Sequence, residues 1–327
     1  MEEKLLFLNR SDVRSCLSPA QVIGTVEDLW KHWRDGAVIE GQRSFLQAGL
    51  NPQNEFLHMP VCLPGLGVLG FKWINCYMEP APGYPFTHGS LIVLNDIATG
   101  SPLALVNATD ITAMRTAGGH GVAAARLLAK KTVRQLSVIG SGLQAENGIA
   151  GFLCAFPELE RVRVWCRKGE AFARLERRFG GQVRMERAED CRMIGRGADV
   201  ILAATSSPDV LLWYGDLEKG TTVIALDGFI DVDPALAGLA DKWYVGSRET
   251  DCREIIDSGV MSHGVKLDRK DIFGELPDVA CGRTPGRERE DEIIVCTHMG
   301  SGAYDIACAW AVYRQARAEG RGLELTL

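Results

Sequence analysis

Between positions 18 and 36 apolar side chains recur at Val22, Ile23, Val26, Leu29, Trp30 and Trp33, a spacing that collects them on one face of a helix. Ser18 stands where an N-cap is expected, and Pro19 occupies the first helical position. Shorter apolar runs follow. The run 61–75 is broken by Pro64, Gly65, Gly67 and Gly70, and the runs 91–95 and 103–106 flank a turn containing Thr99-Gly100, which predicts a β-hairpin. From Thr112 the pattern becomes an alternation: helix 112–129, strand 135–140, helix 144–156, strand 161–166, helix 170–179, then strands at 200–204, 222–226, 243–245 and 293–296. Such alternation is the signature of βαβ units on a parallel sheet. A helix over 303–318 closes the chain, and the strand-rich N-terminal segment needs cover of that kind on its apolar face.

The expected fold is therefore α/β. A Rossmann-type doubly wound parallel sheet is predicted over 114–303, with a second α+β domain formed by 1–113 together with 304–327. Length agrees, since 327 residues exceed the usual 150 or so of one domain. At 46% hydrophobic and 24% charged the composition is that of a globular protein, and 36 glycines point to tight turns and close backbone approaches. A net charge of −6 without a basic block disfavours nucleic acid as a partner. No apolar run reaches transmembrane length, and the acidic start Met1-Glu2-Glu3 does not read as a secretory signal. Ten dispersed cysteines with no C-x-x-C pair read as reduced thiols, so a cytoplasmic protein with no membrane partner is expected.

Gly140-Ser141-Gly142-Leu143-Gln144-Ala145 sits where an apolar strand meets a helix. In a dinucleotide fold the first glycine makes the turn and the second lets backbone approach the pyrophosphate. The next strand ends at Cys166 and is followed by Arg167 and Lys168, where NAD-specific folds usually place a carboxylate for the ribose 2′-hydroxyl. Two cations there favour NADP(H), with NAD(H) the other choice. The candidate cofactor contacts are thus Gly140 to Ala145, Cys166, Arg167 and Lys168, together with Ala204, Thr205 and Ser206 after a later strand.

In the first domain Arg43, Lys72 and Arg115 stand out. Lys72 lies in an apolar, aromatic strand where an unpaired ammonium is costly to bury, and neighbouring cations would lower its pKa. Arg115 opens an otherwise apolar helix, and guanidinium groups there suit a carboxylate. Taken singly, each reads first as a structural ion-pair residue, and spacing alone does not bring them together. His58, His88, His120 and His298 have no metal-binding spacing, so no metal is expected. His120, among Gly118, Gly119 and Gly121, reads as a packed helix residue.

Taken as an ordered set, Gly41-Gln42-Arg43, His58-Met59-Pro60, Gly70-Phe71-Lys72-Trp73-Ile74-Asn75, Met114-Arg115-Thr116-Ala117, the Gly140–Ala145 motif and the closing segment 301–309 with Asp305 resemble the ornithine cyclodeaminase/mu-crystallin family nearly end to end. The resemblance implies a homodimer in which the N-terminal region and last helix bind substrate around a Rossmann domain. It implies Arg43 and Arg115 on a substrate α-carboxylate, Lys72 as acid/base at the nitrogen, Asp227 working with the lysine, and Thr87, in the loop before the hairpin, on the substrate, with Thr87, Arg115 and Asp227 also touching the cofactor. The implied activity is NAD(P)H-dependent reduction of a small α-imino acid, or the reverse oxidation of an amino acid. The alternatives within the family are a redox-neutral, ammonia-releasing cyclodeaminase of ornithine or lysine, and a dinucleotide-binding protein without turnover. Three segments depart from the family pattern: 225–233 is shorter than usual, His88 follows Thr87, and Thr297-His298-Met299-Gly300-Ser301 replaces a Ser-containing stretch near the nicotinamide.

Overall fold

The computed structural model describes residues 4–47, 54–77 and 89–327. They form two compact units, one made of Met1–Arg115 with Ser301–Leu327 and the other of Thr116–Gly300.

In the first unit β1 (Lys4–Leu8), β2 (Ile39–Glu40), β3 (Ser44–Gln47), β4 (Glu55–Leu63), β5 (Val68–Cys76), β6 (Ser90–Asp96), β7 (Pro102–Asn107) and β16 (Leu323–Thr326) build a mixed sheet. Its order is β16-β1-β7-β6-β5-β4-β2, with β3 also on β4, and among the described residues only the β1–β7 pair is parallel. The predicted hairpin is β6–β7. Helices α1 (Arg10–Cys16), α2 (Pro19–His32), α3 (Thr109–Ala113) and α10 (Gly302–Glu319) belong to this unit, and α10 lies against β4, β5 and β6. As expected, α2 starts at Ser18, whose side chain accepts from Gln21 N in a capping box with Pro19 inside the first turn. The helix α10 can come close because its first residue is glycine: a Cβ on Gly302 would sit 2.9 Å from Val61 Cγ2. Trp30 Nε1 donates to Tyr304 OH at 2.8 Å and ties α2 to the same turn of α10. Along β5 the alternation buries Val68, Gly70, Lys72 and Ile74 beneath this helix layer.

The second unit is an all-parallel sheet of β8 (Gln135–Ile139), β9 (Arg161–Trp165), β10 (Arg184–Arg187), β11 (Val200–Ala203), β12 (Thr222–Ala225), β13 (Lys242–Val245), β14 (Ile272–Glu275) and β15 (Ile294–Thr297). Its order, β10-β9-β8-β11-β12-β15-β13-β14, reverses direction beside β8, as in doubly wound dinucleotide folds. Strands β8, β11, β12, β13 and β15 are buried end to end, as a sheet covered on both faces requires. The helices are α4 (Val122–Leu128), α5 (Leu143–Ala155) and α6 (Gly169–Phe179), with the short α7 (Leu236–Leu239), α8 (Arg248–Asp251) and α9 (Leu276–Ala280).

Two expectations need correction. The helix expected over 112–129 is instead α3, a π-wound stretch Met114–Gly121 and α4. Gly118, Gly119 and Gly121 hold ordinary helical winding weakly, and the Ala117 N–H is taken by the Gln144 side chain at 3.1 Å. The closing helix does not end the fold either, because the chain turns at Gly320 and adds the exposed strand β16 to β1.

Candidate active site

The first unit brings together the cationic residues singled out in the sequence. Lys72 projects from the middle of β5 toward α10, and Asp305 reaches it from the first turn of that helix. Lys72 Nζ lies 2.6 Å from Asp305 Oδ2, and Arg115 Nε donates to Asp305 Oδ1 at 3.0 Å. Lys72 and Asp305 are wholly inaccessible to solvent, and the Arg115 side chain is 8% exposed. One carboxylate therefore bridges two cations in a dry setting. An ammonium has three donors, and Asp305 is the one carboxylate paired with Lys72 among the described residues, so the ion pair does not use up its donors.

Burial, the positive charge of Arg115 and, to a lesser degree, that of Arg43 push the Lys72 ammonium down to about 8 against the pull of Asp305. Burial opposes ionisation of Asp305, and Arg115 and Lys72 more than offset it, holding the carboxyl below its ordinary range. Arg43, half-buried just after β2, is near enough to act on Lys72. The cluster thus gathers Arg43, Lys72, Arg115 and Asp305, with Asp305 shared between Lys72 and Arg115. Such a site is suited to a small carboxylate ligand and to proton transfer near neutral pH. Thr87 and His88 lie outside the described residues.

In the second unit the Gly140–Ala145 segment forms the loop between β8 and α5. Gly140 has φ +115°, and a Cβ there would come within 2.4 Å of Ala204 O, so only glycine fits. At Gly142 a Cβ would meet nothing within 4 Å, which leaves open space in front of the helix. The α5 N-terminus has no side-chain cap, so its first amides are available to an anion. Ser141 and Gln144 are half-buried, Leu143 is exposed, and Ala145 packs in the core. These features fit the pyrophosphate of a dinucleotide.

Beside the loop, Ala204 N donates to Ile139 O at 2.9 Å, and Thr205 is held from behind by its backbone N–H and Oγ1, both donating to Asp231 Oδ2 at 3.1 and 3.0 Å. Ser206 follows, exposed. Burial raises Asp231 to about 6, with the Thr205 bonds opposing and the charge of Asp227 adding to the rise. Asp227 is an exposed carboxylate two residues past β12. Cys166 is buried with its thiol donating to Lys168 O, whereas Arg167 and Lys168 are exposed.

Of the histidines, His58 packs on Phe71 and Trp73 in the first sheet. His120 and His298 are buried in the second unit with ring centroids 3.6 Å apart, and His298 Nδ1 accepts from Gly300 N. No three His, Cys, Asp or Glu side chains gather as a metal site, and no helix is long and apolar enough to cross a membrane, among the described residues.

Sequence reasoning did not single out Asp305 as the partner of Lys72, nor Asp231 as the support of Thr205. The one signal for Asp305 was its place one turn inside the closing helix, in the segment that carried the family resemblance.

The sequence model of the ornithine cyclodeaminase/mu-crystallin family matches residues 3–320. A Staphylococcus aureus N-((2S)-2-amino-2-carboxyethyl)-L-glutamate dehydrogenase is 29% identical, with all of both chains covered. Two solved structures superpose closely. Thermococcus litoralis Δ1-pyrroline-2-carboxylate reductase in complex with NADH and L-proline has a TM-score of 0.86 at 26% identity, covering 98% of this chain and 99% of that one. An archaeal alanine dehydrogenase dimer with bound NAD has a TM-score of 0.89 at 25% identity and 99% of each chain.

Proposed function

We propose that this chain, which belongs to the ornithine cyclodeaminase/mu-crystallin family, is an NAD(P)H-dependent reductase or dehydrogenase acting at the α-carbon of a small α-imino or α-amino acid. The carrying observation is the dry cluster in which Asp305 bridges Lys72 and Arg115. Arg43 and Arg115 hold the substrate α-carboxylate, whose two oxygens match guanidinium donors. Lys72, lowered to about 8, gives its proton to the imino nitrogen in reduction and takes one from the amino group in oxidation. Asp305 keeps the ammonium aimed, and Asp227 is assigned with Thr87 to the same chemistry by resemblance to the family.

Gly140 to Ala145, the 204–206 segment and the end of β9 would hold the dinucleotide, which when bound supplies the hydride. The relatives act on compounds carrying nitrogen beside a carboxylate, as their names state, and this supports the same substrate class here.

The reading extends to a homodimer. One face of the first sheet carries Phe56, His58, Phe71, Trp73 and Leu91, all half-buried or exposed, with Phe56 stacked on Trp73 at 5.2 Å. A second copy covering that face would remove a sizeable apolar patch from water, and light scattering should return twice the chain mass.

Function is tested by NADPH and NADH oxidation with a panel of cyclic imino acids and of 2-oxo acids with ammonia or methylamine. Oxidation with one substrate class supports the reading. Ammonia release from ornithine or lysine without net oxidation would replace it with a cyclodeaminase.

A further inference from the structure

We propose that His120 and His298 are positioning residues for the substrate site: packed ring on ring, they clamp together the two chain segments that carry Arg115 and Asp305. The inference rests on the reading that Arg115 binds the substrate carboxylate.

The chain leaves the first unit at Arg115–Thr116 and returns to it at Gly300–Ser301. Each crossing carries a residue of the site and, a few positions away, a buried histidine: Arg115 is followed by His120, and His298 is followed by Asp305. The two segments are tied twice. Arg115 Nε donates to Asp305 Oδ1 at 3.0 Å, and the His120 and His298 ring centroids lie 3.6 Å apart with their planes tilted by 56°.

The π-winding of Met114–Gly121 accounts for the alignment of the first segment. Hydrogen bonds from i to i+5 stack residues five apart on one side, whereas ordinary α-winding would turn His120 about 140° away from Arg115. Gly118 lets this stretch lie against α5, since a Cβ there would stand 2.8 Å from Asn147 O.

The second segment is anchored by Asp251, whose Oδ1 accepts from Met299 N at 2.9 Å and whose Oδ2 accepts from Ser247 N at 3.0 Å. His298 Nδ1 accepts from Gly300 N at 3.2 Å, which requires that nitrogen to be unprotonated, so the ring is neutral with its hydrogen on Nε2. A Cβ on Gly246 would come 3.2 Å from His298 Cβ, 3.3 Å from Asp251 Oδ2 and 3.5 Å from His120 Nε2, so the three side chains converge just past β13. Rings packed this closely set the spacing of the two segments, and truncating either one leaves a void between them.

The test compares His120→Ala, His298→Ala and the double variant with wild type. The readouts are kcat and KM for a cyclic imino acid, the dissociation constant of pyrrole-2-carboxylate, a carboxylate analogue, in the presence of NADH, and that of NADH alone. Each single variant should raise KM and weaken the analogue roughly tenfold or more while NADH affinity changes less than about twofold. The double variant should be no worse than the poorer single one, because either loss already releases the clamp. His120→Asn and His298→Asn, closer in volume and still polar, carry the same comparison if the alanine variants do not fold. A lower kcat with KM and analogue affinity unchanged, or additive losses in the double variant, would overturn the proposal. Wild type that neither reduces the imino acid nor binds the analogue would overturn the functional reading as well, so the two failures are distinguishable.

Discussion

Lys72 Nζ and Asp305 Oδ2 meet 2.6 Å apart with no solvent access to either side chain. Desolvation of both charges is offset only while each has its partner, and Arg115 on the other oxygen of Asp305 makes the carboxylate answer for two cations. The pair therefore holds the proton donor in place and governs when it is charged.

Removing the carboxylate should be costly twice over. Asp305→Asn leaves two buried cations without counter-charge, a change worth about 3–5 kcal/mol for buried pairs, and should lower turnover by roughly 10²-fold or more. Denaturant unfolding and steady-state kinetics check this. Lys72→Met in the Asp305→Asn background should recover part of the stability and none of the turnover.

The pH dependence has a definite sign. Lys72 must carry its proton to reduce an imine, so kcat/KM for reduction should be level below about 8 and fall tenfold per pH unit above it. The oxidative direction needs neutral Lys72 and should rise with pH up to the same region and then level off. A reductive profile that rises through this region would remove Lys72 from the role of acid.

Asp231 should show the opposite of ordinary acid sensitivity. Its folded pKa is raised from 3.8 to about 6, so the folded state holds the proton more tightly. The group's contribution is then most favourable below about 4 and is lost as pH rises through 6, by roughly 3 kcal/mol at about 1.4 kcal/mol per tenfold. The stability of Asp231→Asn relative to wild type should accordingly improve between pH 4 and 7. A pH-independent difference would contradict the assignment.

The two loop glycines should separate folding from binding. Gly140→Ala forces a Cβ to within 2.4 Å of Ala204 O at φ +115° and should cost stability as well as dinucleotide affinity. Gly142→Ala meets nothing within 4 Å, so it should change stability by less than about 1 kcal/mol and still weaken the dinucleotide. Thermal unfolding beside cofactor titration checks both.

What was legible in the sequence was local. Ser18-Pro19, the Thr99-Gly100 hairpin and the strand–glycine loop–helix at Gly140 carry their structural reasons within a few residues. The partnership of Arg115 with Asp305 spans 190 residues, and no spacing rule encodes a contact at that range. The π-winding at Met114–Gly121 was hidden because its apolar spacing also satisfies an α-helix.

The central claim is that buried Lys72 is the proton donor of a dinucleotide-dependent reduction. Its most direct test is NADPH oxidation by wild type and Lys72→Ala with Δ1-pyrroline-2-carboxylate or another cyclic imino acid, with cofactor affinity measured in parallel. The account predicts turnover in wild type, none in the variant, and cofactor affinity nearly the same in both. Equal turnover by the variant, or ammonia release from ornithine by wild type with no net NADPH consumption, would contradict it.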